Sequence, residues 1–298
     1  MSFRFEHDES PEDGFRRIAR EQVGKAIDTI ESDDAGEHAA VHEVRKRCKK
    51  VRGLARLVRP GFPGYDDANA WFRETARELS DLRDATTLLE TLDALTERLD
   101  GVLAPDAFDD VRRTLFERRE SVVAEQGLED RLDHARERLR EGSDRIGDWR
   151  LDETAVDAVA DGLAKTYGRA RAAMDAAYDD PEPDRFHEWR KRVKYHRYHA
   201  RLLRRLWPPV LEPWRDETKH LSDLLGDEHD LTVLRRTLAA EPERFEDAEH
   251  VPVLRSLAAM RRQELRDAAR PLGRRLFAEK PKHHARRHER LWRTWRTA

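Results

Sequence analysis

Basic side chains recur at helical spacing in two segments of this chain, and the two segments match each other. Residues 42–59 and 187–204 share 11 of 18 positions, and most of the shared residues are charged. In each segment arginines and lysines follow a histidine at steps of three or four residues, so they lie on one face of an α-helix. A row of cations about 5 Å apart along a helix axis suits a linear chain of negative charges better than one small anion. The spacing therefore predicts a site for a linear polyanion.

The candidate binding residues are the members of these two rows and their basic neighbours. We expect a polyanion to contact His42, Arg45, Lys49, Lys50, Arg52, Arg56, His187, Arg190, Lys191, Lys194, Arg197 and Arg201. Arg118 and Arg261, which match each other further along the chain, are candidates for a second wall of the same site. A histidine at the same place in both rows favours a phosphate contact over a structural role. Such a contact predicts that affinity rises as the pH falls from about 8 to 6.

Each row needs something to offset its charge. Like charges three or four residues apart destabilise a helix by roughly 0.2–0.5 kcal/mol per pair. Asp81 and Asp84, which match Asp227 and Asp230, are the best internal partners. An internal salt-bridge network is the structural alternative, but four aspartates are too few for two rows of five or six cations. We therefore expect the aspartates to orient some arginines and leave the other cations to a ligand.

Two other patterns could carry chemistry. The run 227–230 contains three acidic residues and His229, as a metal site might, but the residue that matches His229 is Arg83, which binds no metal. We therefore expect no metal, no cofactor and no catalytic residue. The stretch 280–296 interleaves basic residues with tryptophans, a pattern found where single-stranded nucleic acid stacks on a protein. A last bundle helix that packs its tryptophans inward is the structural interpretation.

The composition limits the class of protein. The 298 residues are 40% charged and 38% hydrophobic, with a net charge of −3. The two basic segments carry +7 and +6, so the rest of the chain carries −16, and an acidic shell around a cationic cleft focuses the field on one site. The single cysteine, Cys48, excludes a disulfide within the chain and is expected to be buried. No signal peptide or membrane span is predicted, so we expect a cytoplasmic protein without a membrane partner.

The pattern along the chain predicts an all-α protein with two similar halves. Residues 1–13 are expected to be disordered or loosely ordered, and the halves to occupy 14–149 and 150–298. Each basic helix is followed by a proline-rich break. Helices are predicted at 14–31, 66–99 with an interruption, 105–125, onward to residue 140, 152–178 and from Pro213, besides the two basic segments.

These motifs resemble those of the CHAD family, the conserved histidine α-helical domain. The segments HEVRKRCKKVRGLARL and HEWRKRVKYHRYHARLL resemble its two basic motifs, and SDLRDATTLL and GDEHDLTVL resemble the Leu-and-Asp segments that follow them. The resemblance covers the chain from about residue 14 onward. Two departures stand out: Gly53 lies in mid-helix where a larger residue is usual, and His229 stands opposite Arg83.

The resemblance implies a fold and a ligand. It implies two four-helix bundles related by a pseudo-twofold axis, with the basic helices facing a central channel that binds inorganic polyphosphate without catalysis. Many family members are fused to a triphosphatase with an ExExK motif on a strand, which is not seen here, so we expect any such enzyme to be a separate protein partner. Association with polyphosphate granules is a further expectation.

Two other functions share part of the same evidence. A nucleic-acid-binding helical protein would use the same cations on a wider groove with aromatic side chains nearby. A phosphoanhydride-processing enzyme would need a metal-binding carboxylate cluster or a nucleophile beside the rows, and neither is well placed in the sequence.

Overall fold

The computed structural model describes residues 3–32, 36–99, 101, 104, 106–152, 155–245, 248 and 250–297. Throughout these residues the regular structure is helical, without a strand, which confirms the predicted all-α class. The helices are α1 (Pro11–Ile30), α2 (Glu37–Leu57), α3 (Tyr65–Arg77), α4 (Ser80–Arg98), α5 (Asp109–Gln126), α6 (Leu128–Ile146), α7 (Ala155–Asp179), α8 (Pro183–Leu203), α9 (Pro208–Ala240), α10 (Val251–Leu276) and α11 (Pro281–Thr297). None of them is both long and apolar enough to cross a membrane.

A proline stands at the first or second position of α1, α8, α9, α10 and α11. The backbone N–H of Asp13 donates to the side chain of Ser10 ahead of α1, and Pro11 occupies the first position, where a missing N–H costs nothing. This helix therefore starts three residues before the predicted position. The start predicted at Pro213 was also late, because α9 begins at Pro208 and carries Pro213 inside its second turn.

The breaks inside the first half follow the sequence closely. The predicted interruption of 66–99 falls between Arg77 and Ser80, where α3 ends and α4 begins. The helices predicted at 105–125 and onward to residue 140 are α5 and α6, which meet at Gly127. Residue 105 of that prediction lies outside the described residues, as do residues 153 and 154 of the helix predicted at 152–178.

The start of the chain is packed into the protein. Residues 1 and 2 lie outside the described residues, but Phe3 and Phe5 are each only 2% exposed. The ring of Phe3 meets Tyr198 edge-on, and that of Phe5 meets Trp292. The prediction of a loosely ordered start is thus wrong for residues 3–13, because two aromatic side chains bury a large apolar area.

The hydrophobic cores cross the boundary predicted between residues 149 and 150. One core lies among α1, α2, α3 and α6 and also takes in Leu202, Leu206 and Trp292. A second forms where α4 and α5 pack on α9 and α10, and a third lies among α7, α8, α9 and α10. The boundary between the predicted halves therefore does not separate independent cores.

Candidate anion-binding site

The two basic helices, α2 and α8, meet at equivalent positions of the matched segments. A Cβ atom added to Gly53 would lie 2.6 Å from Cδ2 of Tyr198, so only glycine allows this approach. The Nε2 atom of His199 lies 3.0 Å from the carbonyl oxygen of Gly53 and ties the two backbones together. The glycine that departs from the family pattern is therefore the contact point of the two basic helices.

Replacing Gly53 by alanine should destabilise the protein even though alanine favours helix. The helix preference contributes up to about 1 kcal/mol, whereas forcing a methyl group into a filled core costs roughly 1–3 kcal/mol. We expect a net loss of up to about 2 kcal/mol in urea unfolding. The control is Gly24→Ala in α1, where nothing lies within 4 Å of the added atom, and we expect that variant to be stabilised. Equal effects at both positions would contradict the close contact.

Lys49 and Lys194 form the centre of the site. Burial, then the charges of Lys194, Arg45 and Arg190, lower the pKa of Lys49 to about 7. Burial, then the charges of Arg190 and Arg197, lower the pKa of Lys194 to about 8. Within the described residues neither ammonium group has an ion-pair or hydrogen-bond partner. Two rows from distant parts of the sequence thus bring together two lysines whose nearby carboxylates, Asp84, Asp223 and Asp230, do not offset the lowering of their pKa.

On α2 the arginines are oriented mainly by neutral groups. Arg45 donates to the carbonyl oxygen of Ala76 at 2.8 Å and to the hydroxyl of Ser80 at 2.6 Å. Asp84, the partner expected from the sequence, stands 3.9 Å from the same guanidinium. This arrangement fixes the arginine and leaves most of its charge available.

The next two arginines share neutral partners as well. Arg52 donates to Oδ1 of Asn69 at 3.1 Å and to the hydroxyl of Tyr195 at 3.5 Å. Arg56 donates to the same Asn69 oxygen at 3.5 Å and lies over the ring of Tyr195, 4.1 Å from its centroid. Held guanidinium planes can bind phosphate oxygens in pairs.

On α8 the cations of the row lie closer to carboxylates than those on α2 do. Arg197 donates to Asp223 at 3.0 Å and to the hydroxyl of Ser222 at 3.3 Å. The Nε atom of Arg190 is buried without a hydrogen-bond partner. Burial raises the pKa of Asp230, while the charges of Arg190 and Lys194 oppose that rise. The acidic residues of α9 therefore lie beside this row without pairing with all of it.

The two histidines mark the start of each row in different surroundings. The His42 side chain is largely exposed, and partial desolvation, then the charges of Arg83 and Lys46, lower its pKa. The Nδ1 atom of His187 lies 3.1 Å from Nδ1 of His229, and burial, Lys191 and Arg190 lower its pKa. Both histidines thus have a lowered pKa, whereas the pKa values of Lys49 and Lys194 lie near 7 and 8.

Some predicted residues lie away from this centre. Lys50 is buried on another side of α2, with its ammonium group 5.6 Å from the centroid of the Phe3 ring. Lys191 is exposed and forms an ion pair with Glu188 at 2.6 Å. Arg201 is exposed and lies in the field of Arg197 rather than at the lysine pair.

Arg118 and Arg261, the residues predicted to form a second wall of the site, each have a carboxylate partner. Arg118 on α5 forms an ion pair with the carboxylate of Glu241 at 3.1 Å, and both residues line a pocket of about 300 Å³. Arg261 on α10 pairs with Glu264 at 2.7 Å. Each of the two guanidinium groups thus forms an ion pair with a nearby carboxylate. The helices that supply hydrogen-bond partners to the arginines of the two rows include α3, α4 and α9.

The sequence-based prediction did not include the residues that hold the arginines in place. These are Asn69, Ser80, Tyr195, Ser222 and Asp223. Tyr195 stands at the position that matches Lys50, so the break in the charge pattern was a usable signal. The other four residues show no such signal, because single polar residues on separate helices reveal nothing about their neighbours.

The two other patterns noted in the sequence are the acidic run 227–230 and the basic stretch 280–296, and residues of both pack within the fold. In the described residues no group of three or more His, Cys, Asp or Glu is placed to hold a metal ion. Glu228 of the run 227–230 is buried and pairs with Arg262 and Arg266, at 3.0 and 2.7 Å. The basic C-terminal stretch forms α11, whose Trp292 is 3% exposed, as expected for a last bundle helix.

Comparison with known proteins identifies relatives and the family of this chain. Two proteins of Mycobacterium tuberculosis, the uncharacterized protein Rv2226 of strain H37Rv and the uncharacterized protein MT2285 of strain CDC 1551, are each 27% identical to this chain over 240 residues. The aligned regions cover 76% of this chain and 45% of each relative, so the chain spans about half the length of these relatives. The CHAD domain model matches residues 17–239. The chain therefore belongs to the CHAD domain family.

Proposed function

We propose that this protein binds inorganic polyphosphate, without transforming it, between α2 and α8. The observation that carries the proposal is the meeting of Lys49 and Lys194, each lowered in pKa by burial and by neighbouring cations. The nearby carboxylates of Asp84, Asp223 and Asp230 offset these charges only in part, and a polyanion would compensate the rest. Arg45, Arg52, Arg190 and Arg197 would contact the phosphoryl groups on either side.

The duplication inferred from the sequence is part of the proposal. Gly53 and Tyr198, which meet at the helix contact, occupy matching positions of the two segments. Arg56 lies over Tyr195, and the matching pair, Arg201 and Lys50, are also neighbours, since the charge of Arg201 lowers the pKa of Lys50. Reciprocal contacts of this kind support a pseudo-twofold axis through the site and a polyphosphate path shared by both rows.

Polyphosphate binding should depend steeply on salt. By analogy with single- and double-stranded nucleic acids, each phosphate contact contributes about −0.7 to −0.9 to the slope of log K against log salt. The six cations named above therefore predict a slope of about −4 to −5, a loss of about 10²- to 10³-fold between 50 and 200 mM salt. Isothermal titration with long-chain polyphosphate over this range measures the slope, and a slope near −1 would contradict a multi-contact site.

Two arms of the same experiment address the other functions. Short RNA at equal phosphate concentration should fail to displace polyphosphate, because the described aromatic rings at the site, such as Tyr195, are already covered by arginines. Incubation with polyphosphate and Mg²⁺ should release no phosphate. Displacement by RNA would favour nucleic-acid binding, and phosphate release would favour an enzyme.

A further inference from the structure

A second group of arginines lies at the C-terminal end of α2, beyond the centre of the proposed site. Arg59 lies over the ring of Tyr65, 4.4 Å from its centroid, and Arg56 approaches the same ring at 5.8 Å. Arg169 belongs to α7 and Arg192 to α8. Burial, then the charges of Arg192, Arg56 and Arg59, lower the pKa of Arg169, so the four guanidinium groups share one region.

The packing of α7 explains why Arg169 is there. A Cβ atom on Gly162 would lie 1.8 Å from the carbonyl oxygen of Leu57, so α7 rests directly on the last turn of α2. Arg169 follows Gly162 by seven residues, about two turns or 10.5 Å, and therefore lies on nearly the same face of α7. At the 145-residue offset of the two segments its counterpart is Gly24, so the first half supplies no equivalent charge.

The charges in this group are only partly compensated. Arg59 is 3.8 Å from Asp66, and Arg192 pairs closely with Glu188. Arg56 is held by the neutral groups of Asn69 and Tyr195. Arg169 is exposed and has no ion-pair or hydrogen-bond partner within the described residues. Two guanidinium groups thus remain without a carboxylate.

We propose that Arg169, together with Arg56, Arg59 and Arg192, forms an additional phosphate-binding subsite that holds a linear polyphosphate after it leaves the Lys49–Lys194 pair. This inference rests on the proposed function and gives it a chain-length preference. Lysines at the centre act as point charges, whereas guanidinium groups over tyrosine rings present fixed planes to phosphate oxygens. A chain too short to reach past Arg56 gains nothing from the subsite.

The test compares long-chain polyphosphate with tripolyphosphate as probes. The variant Arg169→Ala should bind the long chain about five-fold more weakly, the size expected for one exposed charge contact, and should bind tripolyphosphate like the wild type. Arg169→Lys, which keeps the charge without the planar fork, should recover part of the loss. Arg255→Ala, an exposed arginine on α10, is the charge-matched control and should change neither affinity.

Each outcome decides a different point. Wild-type affinity for both probes in Arg169→Ala, with folding confirmed by thermal melting, would overturn the subsite and leave the proposed function standing. An equal loss for both probes would also overturn it, because Arg169 would then act only through the general field. Failure of the wild type to bind either probe would overturn the proposed function itself.

Discussion

Replacing Lys49 and Lys194 together by alanine should weaken polyphosphate binding by about 10²- to 10⁴-fold and leave the protein at least as stable. A hydrogen bond to a charged group contributes about 1.5–3 kcal/mol, so two such contacts contribute about 3–6 kcal/mol. The free protein gains by the change, because two partly buried cations, each with a pKa lowered by burial and by neighbouring cations, are removed. Isothermal titration measures the affinity, and thermal melting without ligand measures the stability.

The same two helices supply a matched control. Lys46 and Lys191 are duplicated lysines at equivalent positions, but each pairs with a glutamate three residues earlier, Glu43 or Glu188. Replacing this outer pair by alanine removes the same net charge, and we expect at most a few-fold loss of affinity, because exposed ion pairs and distant charges count for little. If both double variants lost affinity equally, binding would follow net charge and the central site would be wrong.

Acid should unfold this protein near pH 5 to 5.5 because of four buried histidines. His196, His199, His284 and His288 are all 5% exposed or less. Burial is the main cause that lowers the pKa of His196 and His199 to about 3 and of His288 to about 4, and it lowers the pKa of His284 as well.

The sign and size follow from proton linkage. A histidine has a pKa near 6.5 in the unfolded chain, so below about pH 6.5 the unfolded state binds more protons and stability falls as the pH falls. At pH 5.5 each such histidine contributes a loss of about 1.4 kcal/mol, and four together lose about 5–6 kcal/mol. Such a loss equals much of the stability of an ordinary domain, about 5–15 kcal/mol.

His196 offers the sharpest test, because neither of its ring nitrogens has a hydrogen-bond partner. The variant His196→Leu therefore loses no bond at neutral pH, and we expect its acid midpoint, followed by circular dichroism, to move to lower pH. His220→Gln on α9, where the histidine is exposed, should leave the midpoint unchanged. A midpoint that is insensitive to His196 would mean that other groups, such as carboxylates, control acid unfolding.

The sequence predicts those features of the site that follow from helical spacing and from the duplication, and not those that depend on tertiary contacts. Spacing places Lys49 and Lys194 on the same face as their neighbouring arginines, and duplication marks them as equivalent. Spacing also places Lys50 about 100° away from Lys49 on the helix, but it cannot name the neighbours of either. The fold turns Lys49 toward Lys194 and Lys50 toward Phe3. The ion pair of Arg118 with Glu241 could not be predicted either, since the two residues are distant in the chain.

The sequence by itself determined the helical class, the two matched basic helices and the family to which the chain belongs. These are properties of local periodicity and of repeated residue types, which need no knowledge of neighbours. The tertiary structure decided the packed start of the chain at Phe3 and Phe5, the contact at Gly53 and Tyr198, and the neutral residues that orient the arginines. Those features depend on which helices pack together, and packing joins residues whose types are ordinary and whose separation in the chain is large.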